Sequence, residues 1–340
     1  MHIETRVEDI PFKRPLSIAG RTLASQSVLS VAIRHRGHRV HAEAAGVFYR
    51  GDTGERMQRE VAALWPQLPD EPAAAWGLVQ AMAAGGARNA LDWALWQLVA
   101  AEQGRPAYQL AFLPGVRPLV TLVTLGLADA AGMAEAALAQ PGAKALKLKL
   151  EGTDEDAERV SAVRRARPDV RLSVDANEGW TLDHLDRMMS VLLFERVDLI
   201  EQPLPALQDG ALALFRSPIP LAADESLQTL DDLDTVALRY QVANIKLDKC
   251  GGLSAALTLM NEARRRGLRV MIGCMGGRSR AILPAFVAAQ TADLVDLDAP
   301  LFMAGDTLPA ARFVDGSVGF DASAFGPGRE TPQTLVSALP

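Results

Sequence analysis

ALKLKL, Ala145–Leu150, alternates apolar and cationic side chains. Successive strand residues point to opposite faces, so Lys147 and Lys149 share one face and Leu146, Leu148 and Leu150 the other. In a closed barrel the leucines meet an outer ring of helices and both lysines point inward. The plainer reading, two surface lysines on a frayed edge strand, has no place in a barrel, which lacks edges. Similar short apolar strand candidates recur: Leu119–Leu125, Arg171–Asp175, Asp198–Glu201, Pro220–Ala223, Val242–Leu247, Arg269–Gly273 and Leu294–Leu297. Amphipathic helix patterns fill gaps between them, as at Asp154–Ala166, Leu182–Leu193 and Ser254–Arg266. The period, roughly 22 to 28 residues, is that of a βα unit, and eight strands in succession favour a barrel over an open doubly wound sheet.

The N-terminal third reads differently. Val28–Arg34 and Arg39–Ala42 are strand-like, separated by His-Arg-Gly-His, and helical patterns follow over Thr53–Leu68, Pro72–Ala83 and Ala87–Ala101. Strands followed by helices predict a small α+β domain. Across all 340 residues, 49% are hydrophobic and 22% charged, a globular composition, and the net charge of −6 offers no footprint for nucleic acid. Clusters such as Arg264–Arg265–Arg266 read as solvated helix faces. Cys250 and Cys274 are the only cysteines, which excludes a disulfide framework and suggests a reducing cytoplasm. No apolar signal core opens the chain and no apolar run is long enough to cross a bilayer, so a soluble cytoplasmic protein without a membrane partner is expected.

The chemistry of a barrel lies at the C-terminal ends of its strands. Those ends carry Lys147 and Lys149, Asp175 in SVDANEGW, Glu201 in LIEQPLP, Asp224 in AADES, Lys246 in NIKLDKCGG, and Asp296 and Asp298 in VDLDAP. Asp175, Glu201 and Asp224 fall on consecutive strands, where three carboxylates repel one another. A divalent cation removes that repulsion, and an all-oxygen ligand set suits Mg²⁺, with Mn²⁺ as the second candidate. Helix capping explains any one of these acids but poorly explains three in a row flanked by lysines. Lys246 lies roughly across the barrel from Lys149. Nearby cations would pull a lysine from about 10.4 toward roughly 7–8, where it can act as a base. One lysine removes a proton beside a cation-bound carboxylate, giving an enediolate, and the other returns a proton to the opposite face. Lys249, past the strand end, reads as solvated and receives no role.

In these motifs, in this order, the chain resembles the enolase superfamily and its muconate-lactonizing subgroup, over nearly its whole length. GARNALDWALW at Gly86–Trp96 resembles that family's helix before the barrel. The resemblance implies an enolase-type (β/α)-barrel with an N-terminal α+β capping domain. It divides the chain into a cap with lid loops over 1–113, a (β/α)7β-type barrel over 114–305 and a C-terminal segment over 306–340 returning to the cap. It implies Lys149 and Lys246 as the acid/base pair, Lys147 as an electrostatic assistant, and frequent homo-oligomers. Asp296 and Asp298, two apart, resemble the pair with which dipeptide epimerases bind the substrate's free ammonium group. The implied reaction inverts the α-carbon of the C-terminal residue of a dipeptide such as L-Ala-D/L-Glu.

Lid loops are expected near Leu16–Thr22 and Gly46–Thr53. Arg21 falls where some Ala-Glu epimerases pair an arginine with the substrate glutamate. CMGGRSRA after the seventh strand departs from the Ala-Glu pattern, and Met275 and Arg278 are expected against the dipeptide. N-acylamino acid racemase and o-succinylbenzoate synthase share the lysines and acids, but their substrates lack the ammonium that Asp296 and Asp298 would bind. No histidine stands at a barrel strand end, which argues against a histidine base and a His-rich zinc site. A phosphate-binding barrel and a non-catalytic peptide-binding barrel complete the alternatives.

Overall fold

The computed structural model describes residues 1–18 and 21–326. Its cap opens with a three-stranded antiparallel sheet of His2–Ile18, Arg21–His35 and His38–Ala45. The first strand was not expected from sequence. It is an edge strand with one face half-solvated, so charges interrupt its alternation, and its register slips between Pro11 and Leu16, where proline cannot donate to the ladder. The next hairpin turns on Arg36 and Gly37, both at positive φ (46° and 81°), the two-residue turn whose twist matches antiparallel strands. Helices Gly54–Leu64, Pro72–Gln80 and Gly86–Glu102 follow. The last is buried on nearly every side because it fills the seam between cap sheet and barrel. Asn89 donates to Asp248 (2.9 Å), and Asp92 accepts from the backbone N–H of Ser254 (3.0 Å), capping the barrel helix Leu253–Arg265 from the other domain.

The barrel strands are Val123–Leu125, Ala145–Lys149, Arg171–Asp175, Val197–Glu201, Leu221–Ala223, Val242–Lys246, Arg269–Gly273 and Leu294–Asp296. They pair in parallel in chain order as one eight-stranded sheet. Leu122 N–H donates to Val295 C=O (2.9 Å), joining first strand to last. Period two sorts every strand. Leu122, Ala145, Leu199, Ala222, Val242, Met271 and Leu294 form an apolar floor inside. One pleat above it the inward positions turn polar, with Lys147, Ser173, Glu201 and Asn244. Outward residues such as Leu146 and Leu148 join the main core under the helices.

The parallel (β/α)-barrel with an N-terminal α+β cap expected from sequence is present. One departure lies after the fourth strand, where a short 3-10 turn, Asp209–Ala213, replaces the expected helix. Beyond the barrel, Arg312–Val314 and Ser317–Gly319 form a hairpin that pairs with Leu119–Val120, and Phe325 stacks on Phe286 and meets Tyr108 edge-on. The cap's first strand is stitched to the segment after the eighth barrel strand: Lys13 N–H donates to Phe302 C=O (2.7 Å) and Ala304 N–H to Pro11 C=O (2.8 Å). Among the described residues no helix is long and apolar enough to cross a membrane.

Candidate active site

Lys149 ends the second barrel strand and Lys246 the sixth, so three strands separate them whichever way the barrel is walked. Two positions four apart in eight stand diametrically opposite. Both amines open into one cavity of about 320 Å³ at the C-terminal mouth. Lys147, Asp224, Asp296 and Asp298 line it from the barrel, and Phe12, Gln26, Phe48 and Tyr49 from the cap. Gly273 makes room for this arrangement, because a Cβ there would lie 2.8 Å from the Asn244 side chain and 3.1 Å from that of Lys246.

Asp224 lines the cavity, and Asp175 and Glu201 sit against Lys149 and Lys147, which line it too. Asp175 and Glu201 are register partners, and Asp224 follows the next strand. All three are buried. Lys149 donates to Asp175 Oδ2 (2.6 Å) and Asn177 (2.8 Å). Lys246 donates to Asp224 Oδ2 (2.6 Å), whose Oδ1 accepts from Lys249 (2.6 Å). Lys147 sits centrally, hydrogen-bonded to Asp296, 3.4 Å from Glu201 and 3.5 Å from Asp175.

Burial raises the Asp224 and Asp175 carboxyls, but the facing amines outweigh it and hold both below the usual carboxylate range. For Glu201 the balance is reversed: burial first, then Asp175, outweigh the lowering by Lys147 and Lys246 and push it up to about 8. Burial and Asp296 push Asp298 up to about 6 despite its hydrogen bond from Thr124 N–H (2.7 Å). Lys246 departs from the expected base range. Burial lowers Lys147 and Lys246, yet the surrounding carboxylates win and hold both well above the ordinary amine value. Lys249 alone is lowered, by burial and by Lys246, because it shares its one anion with a second cation.

Oxygen donors on three adjacent strand ends fit a hard divalent cation, and the raised Glu201 registers the repulsion such an ion would relieve. Among the described residues, no three carboxylate, imidazole or thiolate groups stand gathered around one point, since Asp175 and Asp224 turn to their lysines.

The profile of the enolase C-terminal domain-like family matches residues 129–328. The chain belongs to that family. The L-Ala-D/L-Glu epimerase of Escherichia coli (strain K12) is 37% identical over 313 residues, 91% of this chain and 96% of that protein. The N-acetyl-D-glutamate racemase of a Pseudoalteromonas species is 42% identical over 241 residues, 71% of this chain and 76% of that one. Among solved structures, an enolase family member from Agrobacterium tumefaciens with homology to dipeptide epimerases, with bound sodium and L-Ala-L-Glu, superposes with a TM-score of 0.89 at 34% identity. It covers 95% of this chain and 99% of its own. The dipeptide epimerase of Methylococcus capsulatus, complexed with Mg and L-Arg-D-Lys, gives 0.85 at 28%, covering 96% and 98%. The family expected from the motifs is therefore borne out.

Of the residues singled out in the sequence, the barrel mouth brings together Lys147, Lys149, Lys246, Asp175, Glu201, Asp224, Asp296 and Asp298, and Met275 lines the same cavity. Arg278 is not with them. Its guanidinium turns to Glu43 and Glu8 (2.8 Å to each), tying the loop after the seventh strand to two cap strands. The side chain of Arg21 lies outside what is described, as do the other side chains of the first expected lid loop, Leu16–Thr22. Lys249, expected to be solvated, is 1% exposed, because the helical turn Leu247–Cys250 folds it back under Asp224. Asn177, Gln202, Glu225 and Asn244 also join the site and carried no sequence signal, since three are uncharged and Glu225 is masked by its neighbour Asp224.

Proposed function

We propose that this chain is a divalent-cation-dependent dipeptide epimerase inverting the α-carbon of the C-terminal residue, L-Ala-D/L-Glu or a related dipeptide. One observation carries the reading: two lysines on opposite strands face each other across a cavity that also holds a paired aspartate site. The roles follow from placement. Asp296 and Asp298 receive the substrate ammonium; Asp296 Oδ1 is buried and has no hydrogen-bond partner among the described residues, which leaves it open to a donor. With the substrate anchored there, its α-carbon lies between the amines. Lys149 serves one face and Lys246 the other: Lys149 takes the proton while Lys246 returns its ammonium proton from the opposite side, and the reverse reaction exchanges the two roles, so the carbon is inverted. Lys147 contributes positive charge at the centre of the acids. A divalent cation, Mg²⁺ or Mn²⁺, when held by Asp175, Glu201 and Asp224, supplies the charge that neutralises the substrate carboxylate as the α-proton leaves.

The Pseudoalteromonas relative favours a second reading, racemisation of an N-acylated amino acid by the same lysines. An acylated nitrogen is uncharged, so Asp296 and Asp298 speak for the dipeptide. Incubating the protein with Mg²⁺ and a panel of dipeptides and N-acyl amino acids in deuterated water, read by mass shift, separates the two. Label confined to dipeptides supports the first reading, and label confined to N-acyl amino acids replaces it. Folded protein that labels nothing leaves the non-catalytic binder. With Cys250 and Cys274 both free, we place the enzyme in the cytoplasm as a homo-oligomer divided at 113 and 305 into cap, barrel and returning segment.

A further inference from the structure

Gln202 follows Glu201 and has a positive φ of 34°, a conformation costly for a residue with a side chain and kept where surroundings over-determine it. Its surroundings do so. Its N–H donates to Ala222 C=O (2.9 Å) before Asp224, and its C=O accepts from Glu178 N–H (2.9 Å) in the loop after Asp175. Its side-chain carbonyl accepts from the N–H groups of Asp224 (2.9 Å) and Ser226 (3.1 Å). One fully buried residue therefore touches the backbone that carries all three acids.

The amide can face only one way, and chemistry fixes which. Its NH₂ meets Ser226 Oγ (2.7 Å), Tyr240 Oη (3.0 Å) and Leu204 C=O (2.9 Å). Behind them lies Asp209, fully buried and paired with Arg239, a carboxylate that can only accept. Ser226 (2.6 Å) and Tyr240 (2.7 Å) each spend their single hydroxyl proton on it. Both hydroxyl oxygens are left able only to accept, so they take the NH₂ and turn the carbonyl toward Asp224 N–H.

We infer that Gln202 is a positioning residue that sets the spacing of the three acids, and that Asp209 orders it through Ser226 and Tyr240. The inference rests on the cation site proposed above. The test is Mn²⁺ affinity by titration calorimetry on full-length protein, with thermal unfolding measured alongside. Gln202→Glu should weaken Mn²⁺ binding roughly 10- to 100-fold, the usual cost of removing an outer-shell partner. Its second oxygen would face two hydroxyls with no proton to give. Asp209→Asn, which touches none of the acids, should weaken binding in the same direction by a smaller factor. A merely structural role would lower the melting temperature and leave the Mn²⁺ affinity of the folded protein unchanged. Wild-type binding with both variants folded and binding equally well overturns this inference alone. Wild-type protein that binds no Mn²⁺ overturns the cation site and the inference together.

Discussion

Lys249 Nζ stands 2.6 Å from Asp224 Oδ1, and the two are almost wholly shielded from solvent. Removing one partner of a buried ion pair leaves an uncompensated charge and typically costs about 3–5 kcal/mol. Lys249→Met should destabilise the protein by that order in urea unfolding. A variant as stable as wild type would show that Lys246 alone compensates Asp224.

Arg278 makes the corresponding link between domains. Its partner Glu43 is 1% exposed, so Arg278→Met strands a buried carboxylate, with an expected loss of about 3–5 kcal/mol. Adding Glu43→Met should recover part of the loss, which a double-mutant cycle in denaturant measures. Strictly additive losses would mean that the two side chains stabilise the fold independently.

Asp298→Asn tests the ammonium site. A hydrogen bond to a charged group contributes about 1.5–3 kcal/mol, so KM for the dipeptide should rise about tenfold or more. Mn²⁺ affinity should stay near wild type. Equal loss of both would move Asp298 into the cation site.

Asp248 gives a pH signature of the cap–barrel seam. Burial pushes its carboxyl up to about 7, against the hydrogen bond from Asn89 and with help from Asp52. Unfolded, it titrates near 3.9. Between roughly pH 4 and 7 the folded state holds a proton that the unfolded state has released, so this contribution is full below pH 4 and is lost as pH rises through 7. Asp248→Asn should lose less stability than wild type between pH 5 and pH 8 in urea unfolding. Parallel losses would mean that Asp248 ionises normally in the fold.

Much of this site was legible in sequence because strand period two is rigid. Once ALKLKL is a barrel strand, Lys147 and Lys149 must point inward, and acids on consecutive strand ends must be neighbours. What escaped depends on partners distant in sequence. Whether Arg278 serves a ligand or the cap is decided by Glu43, 235 positions away. Lys249 reads as solvated until the turn that folds it back is seen. Gln202 is an uncharged residue whose hydrogen-bonding role becomes visible only with Asp209 and Tyr240 in place. The shift of Lys246 runs opposite to the expected one because the facing carboxylates outweigh both burial and the neighbouring Lys147.

The two-base arrangement is tested most directly by proton NMR of the substrate α-proton in deuterated water. Wild type, Lys149→Ala and Lys246→Ala are each given Mg²⁺ and, separately, L-Ala-L-Glu and L-Ala-D-Glu. Wild type should exchange and interconvert both; neither variant should interconvert them, and any exchange left should fall on opposite diastereomers in the two variants. Interconversion by either variant at the wild-type rate, or both variants exchanging the same diastereomer, would contradict two amines serving opposite faces of one carbon.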